Sequence, residues 1–155
     1  MSEPAEMYVE DKTISEIFFK LNGRLNRLRY FKRKLVLGVL LTMLLHLGYR
    51  IFGYEFGQVT TPYAAIYNTI VSLIFIIPNY CLSVRRLQDM NRGKTLAIIS
   101  AILSAIMAFQ DFTGLNYKFY FLLILATATL AIGAYILVVP GTRGKNRYGA
   151  SPIPI

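Results

Sequence analysis

The chain has 155 residues, 55% of them apolar and only 16% charged, with a mean hydropathy of +0.47. A soluble domain carries about a quarter charged residues, so a surplus gathered in long apolar blocks excludes an ordinary soluble fold. The net charge of +9, from 17 Lys and Arg against 8 Asp and Glu, matches the basic inner loops of membrane proteins, and no basic motif sits in a nucleic-acid reading module.

Residues 1–12 form a polar tail that is expected to be mobile. Its start, Met1-Ser2-Glu3-Pro4-Ala5-Glu6, is acidic and unlike a cleavable signal peptide, so the first hydrophobic segment is expected to stay in the protein. Thr13-Ile14-Ser15-Glu16 then has the form of a capping box. Ile14, Ile17, Phe18 and Leu21 follow at i, i+3, i+4 and i+7, which predicts an amphipathic helix over 13–22, closed by Gly23. Such a helix is too short to span and belongs in the membrane interface.

Four apolar segments follow, at 35–52, 63–83, 95–112 and 119–140. A span needs about 20 mainly apolar residues, and each segment falls near that length. The expected fold is therefore an all-α membrane protein, a single four-helix transmembrane domain over 13–152. Within the spans, His46 is expected to hydrogen-bond inside the bundle, since intramembrane polar groups seek partners. Pro78 removes a backbone donor, and Asn79 beside it can serve the freed groups. Ala97, Ala101 and Ala105, with Ser100, Ser104 and Ala108, put small residues at four-residue spacing, a face for close helix packing. Aromatic residues Tyr49, Phe52, Tyr54, Phe56, Phe109, Phe112, Tyr117, Phe119 and Tyr120 mark the outer interface.

Charge sets the orientation. Residues 1–34 hold eight Lys and Arg, 84–94 hold four and 141–155 hold three, whereas the other two loops and their helix ends hold only Arg50 and Lys118. The positive-inside rule places the fifteen in the cytoplasm, with both termini there.

Three polar stretches lie on that side. Gly23-Arg24-Leu25-Asn26-Arg27-Leu28-Arg29-Tyr30-Phe31 enters the first span, and Arg85-Arg86-Leu87-Gln88-Asp89-Met90-Asn91-Arg92 leaves the second. The tail, 141–155, carries the third, Gly141-Thr142-Arg143-Gly144-Lys145-Asn146-Arg147-Tyr148-Gly149-Ala150-Ser151-Pro152. In order and spacing these resemble the bacterial membrane-protein family called domain of unknown function 805. Phe31 stands where that family usually has Trp, and Gln88 where it has His, which removes a titrating imidazole from the motif. The resemblance implies a small multi-pass protein of the bacterial inner membrane and no particular reaction.

On a continued helix Arg85, Asp89 and Arg92 would share one face at i, i+4 and i+7. Asp89 is the only acidic residue on the inner side beyond residues 1–16, so it is expected to pair with an arginine from 24–29 or 143–147. The candidate site is thus Arg24, Arg27, Arg85, Arg86, Asp89, Arg92, Asn146, Arg147 and Tyr148. Two readings stand beside each other: a structural clamp, or a pocket for an anionic headgroup built on planar guanidinium donors. Gly141, Gly144 and Gly149 suit close approach or positive φ.

One His, one Cys and a single inner-loop carboxylate supply no common catalytic constellation, so no catalytic, cofactor or metal-binding residue is assigned. The expectation is a non-enzymatic membrane protein whose basic face binds anionic lipids or a protein partner. A small transporter or channel subunit acting as a homo-oligomer, and a lipid-modifying enzyme, are the alternatives.

Overall fold

The computed structural model describes residues 10–52, 62–112 and 118–152, and its helices start and stop at caps written in the sequence. The Thr13 hydroxyl accepts from the Glu16 amide at 3.2 Å, and the Glu16 carboxylate accepts from the Thr13 amide at 3.1 Å. The box opens α1, Ile14–Phe18, which is shorter than the predicted 13–22. A helix this short has little stability of its own, and past Phe19 the chain leaves helical geometry on its way to Gly23, at φ +95°.

Asn26 decides where the first long helix begins. Its side chain accepts from the Arg29 amide at 2.8 Å, so α2 is Arg27–Ile51 and takes in the charged turns ahead of residue 35. Next, α3 runs Pro62–Asp89, with proline at the first helical position, where its missing donor costs nothing. It continues through the Arg-Arg motif and closes on Asn91 at φ +57°. There Arg92 N donates to Leu87 O at 2.8 Å and Asn91 N to Gln88 O at 3.1 Å, the two bonds of a Schellman cap. Inside α3, Asn79 Nδ2 donates to Phe75 O at 2.8 Å, one turn back beside Pro78. α4 is Thr95–Ala108, followed by a 3₁₀ turn at Gln110–Phe112, and α5 is Lys118–Val138.

Four helices are long and apolar enough to cross a membrane: α2, α3, α4 with its 3₁₀ turn, and α5. No strand occurs among the described residues. The protein is an all-α, multi-pass membrane protein. The aromatic positions Tyr54, Phe56 and Tyr117, and residues 1–9 of the tail, lie outside the described residues.

The centre of the bundle is α3, which touches α1, α2, α4 and α5. Its contact with α2 is close at Gly48, where a Cβ would enter the Tyr67 ring. Tyr67 Oη donates to Leu44 O at 2.9 Å across the same contact. The small-residue face of α4 packs inward: Ala97 and Ala108 are buried, while Ile98, Ile99, Ile102 and Ile106 face outward. Thr69 Oγ1 ties α3 to Ala108 O at 2.9 Å. His46 corrects an expectation, for it sits on an exposed face of α2 with no hydrogen bond to another described residue. The best-packed core lies toward the basic end, around Leu25, Tyr30, Leu82, Leu87, Met90 and Ile136.

Candidate functional site: an arginine clamp at the basic end

Asp89 is the last residue of α3 and is only 3% exposed. Arg24 Nε donates to its Oδ1 at 3.0 Å, and Arg86 Nη1, one turn back on the same helix, donates to Oδ2. The expected pairing of Asp89 with an arginine from 24–29 is present. The remaining donors of both guanidiniums go to main chain. Arg86 reaches Ile136 O through Nε at 3.1 Å and Val139 O through Nη2. Val139 lies just past α5, where carbonyls lack an intrahelical partner. Arg24 reaches Gly144 O and Gly149 O through Nη1, and Thr142 O through Nη2.

The tail folds onto α3 by its own polar groups. Thr142 donates to Asp89 O through its amide at 2.8 Å and its hydroxyl at 2.9 Å. Asn146 Nδ2 donates to Gln88 O at 2.9 Å and to Thr142 Oγ1 at 2.8 Å, while its Oδ1 accepts from Tyr148 N at 2.9 Å. Two glycines make this path available. At Gly141 a Cβ would meet the Asp89 carboxylate, and Gly144 adopts φ +72°. The three motifs of the sequence therefore converge on one carboxylate.

The shared face of Arg85, Asp89 and Arg92 does not form. Asp89 takes its partner at i−3, and Arg85 points elsewhere on the helix. The left-handed Asn91 carries Arg92 away, its guanidinium 5.7 Å from the Tyr135 ring centroid. Arg85 instead binds Asp11, with Nη2 at 3.1 and 2.8 Å from the two carboxylate oxygens and Nη1 donating to Glu16 O at 3.0 Å. Arg33 Nη1 adds a bond to Asp11 Oδ2 at 2.9 Å, and Lys20 lies at 3.7 Å. Burial pushes the Asp11 carboxyl up, but the hydrogen bonds and charges of Arg85 and Arg33 outweigh it and hold it below the ordinary range. Asp11 is buried, so this end of the 1–12 tail is fixed in place. A single Asp in Glu10-Asp11-Lys12 has no periodicity to announce it.

Arg147 is exposed, donating to Asn91 O at 3.2 Å and lying 4.8 Å over the Tyr148 ring. Arg27 and Arg143 are exposed and have no hydrogen-bonded partner among the described residues. They border a cleft of about 480 Å³ whose floor is Arg24, Arg86 and Asp89 and whose wall includes Asn26, Thr142 and Ser151. Two guanidiniums over one carboxylate leave that floor with one positive charge. Among the described residues no three His, Cys, Asp or Glu side chains gather as a metal site.

Lys34 is the residue that charge counting misplaces. Counted with the inner-side cations, it lies two turns inside α2, where its Nζ donates to Asn79 Oδ1 at 2.8 Å. No ion pair among the described residues includes it. Its distance past the Asn26 cap was the available signal.

A family model described as a protein of unknown function (DUF805) matches residues 18–150, most of the chain, with the first two motifs and the third as far as Ala150. No curated protein and no solved structure matches.

Proposed function

This chain belongs to the DUF805 family, and on that premise we propose that it is a non-enzymatic bacterial inner-membrane protein whose basic end faces the cytoplasm and holds anionic lipid headgroups. The carrying observation is the cleft rimmed by Arg27 and Arg143, two exposed cations without hydrogen-bonded partners among the described residues, over a floor of net positive charge. Arg24, Arg85 and Arg86 are turned inward as clamps, so binding falls to the exposed cations. Each basic group near an anionic surface contributes about 1 kcal/mol, fading within a Debye length. The orientation rests on fifteen Lys and Arg at this end against Arg50 and Lys118 at the other. Ile14, Phe19, Leu21, Leu28 and Phe31 are exposed beside the clamp, which suits α1 and its neighbours to the boundary between headgroups and acyl chains.

The test is titration of the detergent-purified protein with phosphatidylglycerol at several salt concentrations. An Arg27→Gln/Arg143→Gln double variant is expected to bind about tenfold more weakly, two cations at about 1 kcal/mol each being screened in part. Lys32→Gln is expected to weaken binding slightly. A double variant that binds like the parent overturns the cleft as a headgroup site. A fluorescent protein fused to the C-terminus, of a type that matures only in the cytoplasm, is expected to fluoresce; a dark, intact fusion overturns the orientation.

A further inference from the structure

Deeper in the bundle the helices frame a partly open, mainly apolar cavity of about 370 Å³, to which Ser72, Asn79 and Ser83 of α3, Ser100 and Ser104 of α4 and Thr129 of α5 bring polar groups. Lys34 reaches its wall from α2, with its ammonium bonded to Asn79 Oδ1 and 5.7 Å from the Tyr30 ring centroid. Asn79 precedes Asp89 by ten residues of α3, roughly 15 Å of helix rise. Counted from Ser83, the inner end of the second apolar segment, Asn79 lies roughly 6 Å inside the span. A lysine near a span end ordinarily extends its ammonium back to water; this one turns into the bundle.

The charge has an amide oxygen and an aromatic face but no carboxylate. An ammonium carries three donors, and Asn79 takes one. Ser83 and Ser104 spend their hydroxyl protons on the carbonyls of Asn79 and Ser100 at 2.8 and 2.9 Å. Asn79 Nδ2 is committed to Phe75 O. Lys34 is the one cation among the lining residues.

A second, apolar cavity of about 540 Å³ adjoins the first, and the two share Lys34, Met107 and Thr129. Phe31 of α2 and Leu130, Gly133 and Leu137 of α5 line it. Gly133 leaves it open, for a Cβ built there meets nothing within 4 Å. A cavity holding one cation and several hydroxyls therefore continues into an apolar slot between two helices.

We propose that this paired cavity binds an anionic amphiphile, its carboxylate or phosphate head paired with Lys34 and its acyl chain in the slot between α2 and α5. A charge at this depth is costly without a counter-ion. A neutral lipid leaves Lys34 unpaired, and a small anion leaves the apolar slot unfilled. The site is separate from the headgroup cleft and stands without it.

The protein in phosphatidylcholine nanodiscs is titrated with cis-parinarate, a fluorescent long-chain carboxylate. Lys34→Met is expected to lower affinity at least about tenfold, as loss of a buried charge partner does. Gly133→Leu, which fills the slot and leaves the charge, is expected to lower it comparably. Lys32→Gln, an exposed charge that lines neither cavity, is expected to change it less than about twofold, since exposed charges are screened. Oleate or lysophosphatidate, whichever head the site takes, displaces the probe, whereas butyrate and inorganic phosphate at equal concentration do not. No saturable binding above empty nanodiscs, parent-like affinity in Lys34→Met, or equal displacement by the short anions overturns the proposal. If Lys34→Met does not fold, Gly133→Leu decides: parent-like affinity there overturns it as well.

Discussion

The basic end of this protein and the length of α5 pack in different ways. At the basic end charged side chains are buried as fully as the leucines beside them: Arg24, Arg85, Arg86 and Asp89 are each at most 3% exposed, and Leu25, Leu82 and Leu87 are 0% exposed. Along α5, among the described side chains, only Leu125 and Ile136 are buried, while Leu123, Ile124 and Leu130 are exposed. Lipid tails are as apolar as leucine, so there is little to gain from hiding a leucine inside a membrane bundle. A polar end has directional bonds to satisfy, and those bonds fix its shape. The contrast says that this architecture is pinned at one end by hydrogen bonds and ion pairs, with the helices spreading from it into the bilayer.

The sharpest way to break that contrast is Asp89→Asn. It leaves Arg24 and Arg86 buried without their counter-charge, and removing one partner of a buried pair costs about 3–5 kcal/mol. Thermal unfolding in detergent is expected to show a large loss. A parent-like midpoint would mean that the clamp does not hold the fold.

Glycine substitutions compare the two regions directly. Gly141→Ala puts a Cβ into the Asp89 carboxylate and is expected to cost about 1–3 kcal/mol, in the range of overpacked sites. Gly133→Ala, in mid-helix with open space around it, is expected to be neutral or to stabilise by up to about 1 kcal/mol. Equal losses at both sites would remove the distinction.

The Asp11 anchor gives the clamp end a pH dependence. Its carboxyl is held below the ordinary range, so the folded state favours the charged form. That stabilisation is complete above the ordinary value of about 3.9 and is lost as pH falls through the depressed one. Hydrogen-exchange protection of residues 12–24 is expected to be high at pH 5 and to fall in more acidic solution. Asp11→Asn is expected to be poorly protected already at pH 5, and protection equal to the parent's would show that Arg85 and Arg33 do not need this partner.

The smallest effect is at the end of α3. Asn91 sits at φ +57°, and Asn91→Gly relieves that conformation for about 0.5 kcal/mol or less of added stability. Loss of stability in this variant would mean that the Asn91 side chain has a role beyond the cap.

The spans were legible because a run of apolar residues near bilayer length has few other uses, and the Asp89–Arg24 pairing was legible because Asp89 is isolated among cations. Four details were not. Arg85 and Arg86 are adjacent, and nothing in their order says that Arg86 takes Asp89 while Arg85 turns to Asp11. Asp11 looked like tail. The outward orientation of His46 was not legible because neither an exposed nor an inward position alters the apolar pattern around it. Lys34 was counted with the surface charges because its depth depends on Asn26 starting α2 early.

The sequence by itself determined the four membrane-spanning helices, the concentration of charge at one end and the three motifs that mark the family. Those properties are sums over local residues, and hydrophobic length and charge number survive without coordinates. Tertiary structure decided which arginine is spent on which carbonyl, that the N-terminal segment is anchored through Asp11, and that Lys34 enters a cavity without a carboxylate partner among the described residues. Each of these depends on where a side chain from one helix meets a group many residues away. A guanidinium's donors are satisfied by position in space, and position in space is what the linear order leaves open.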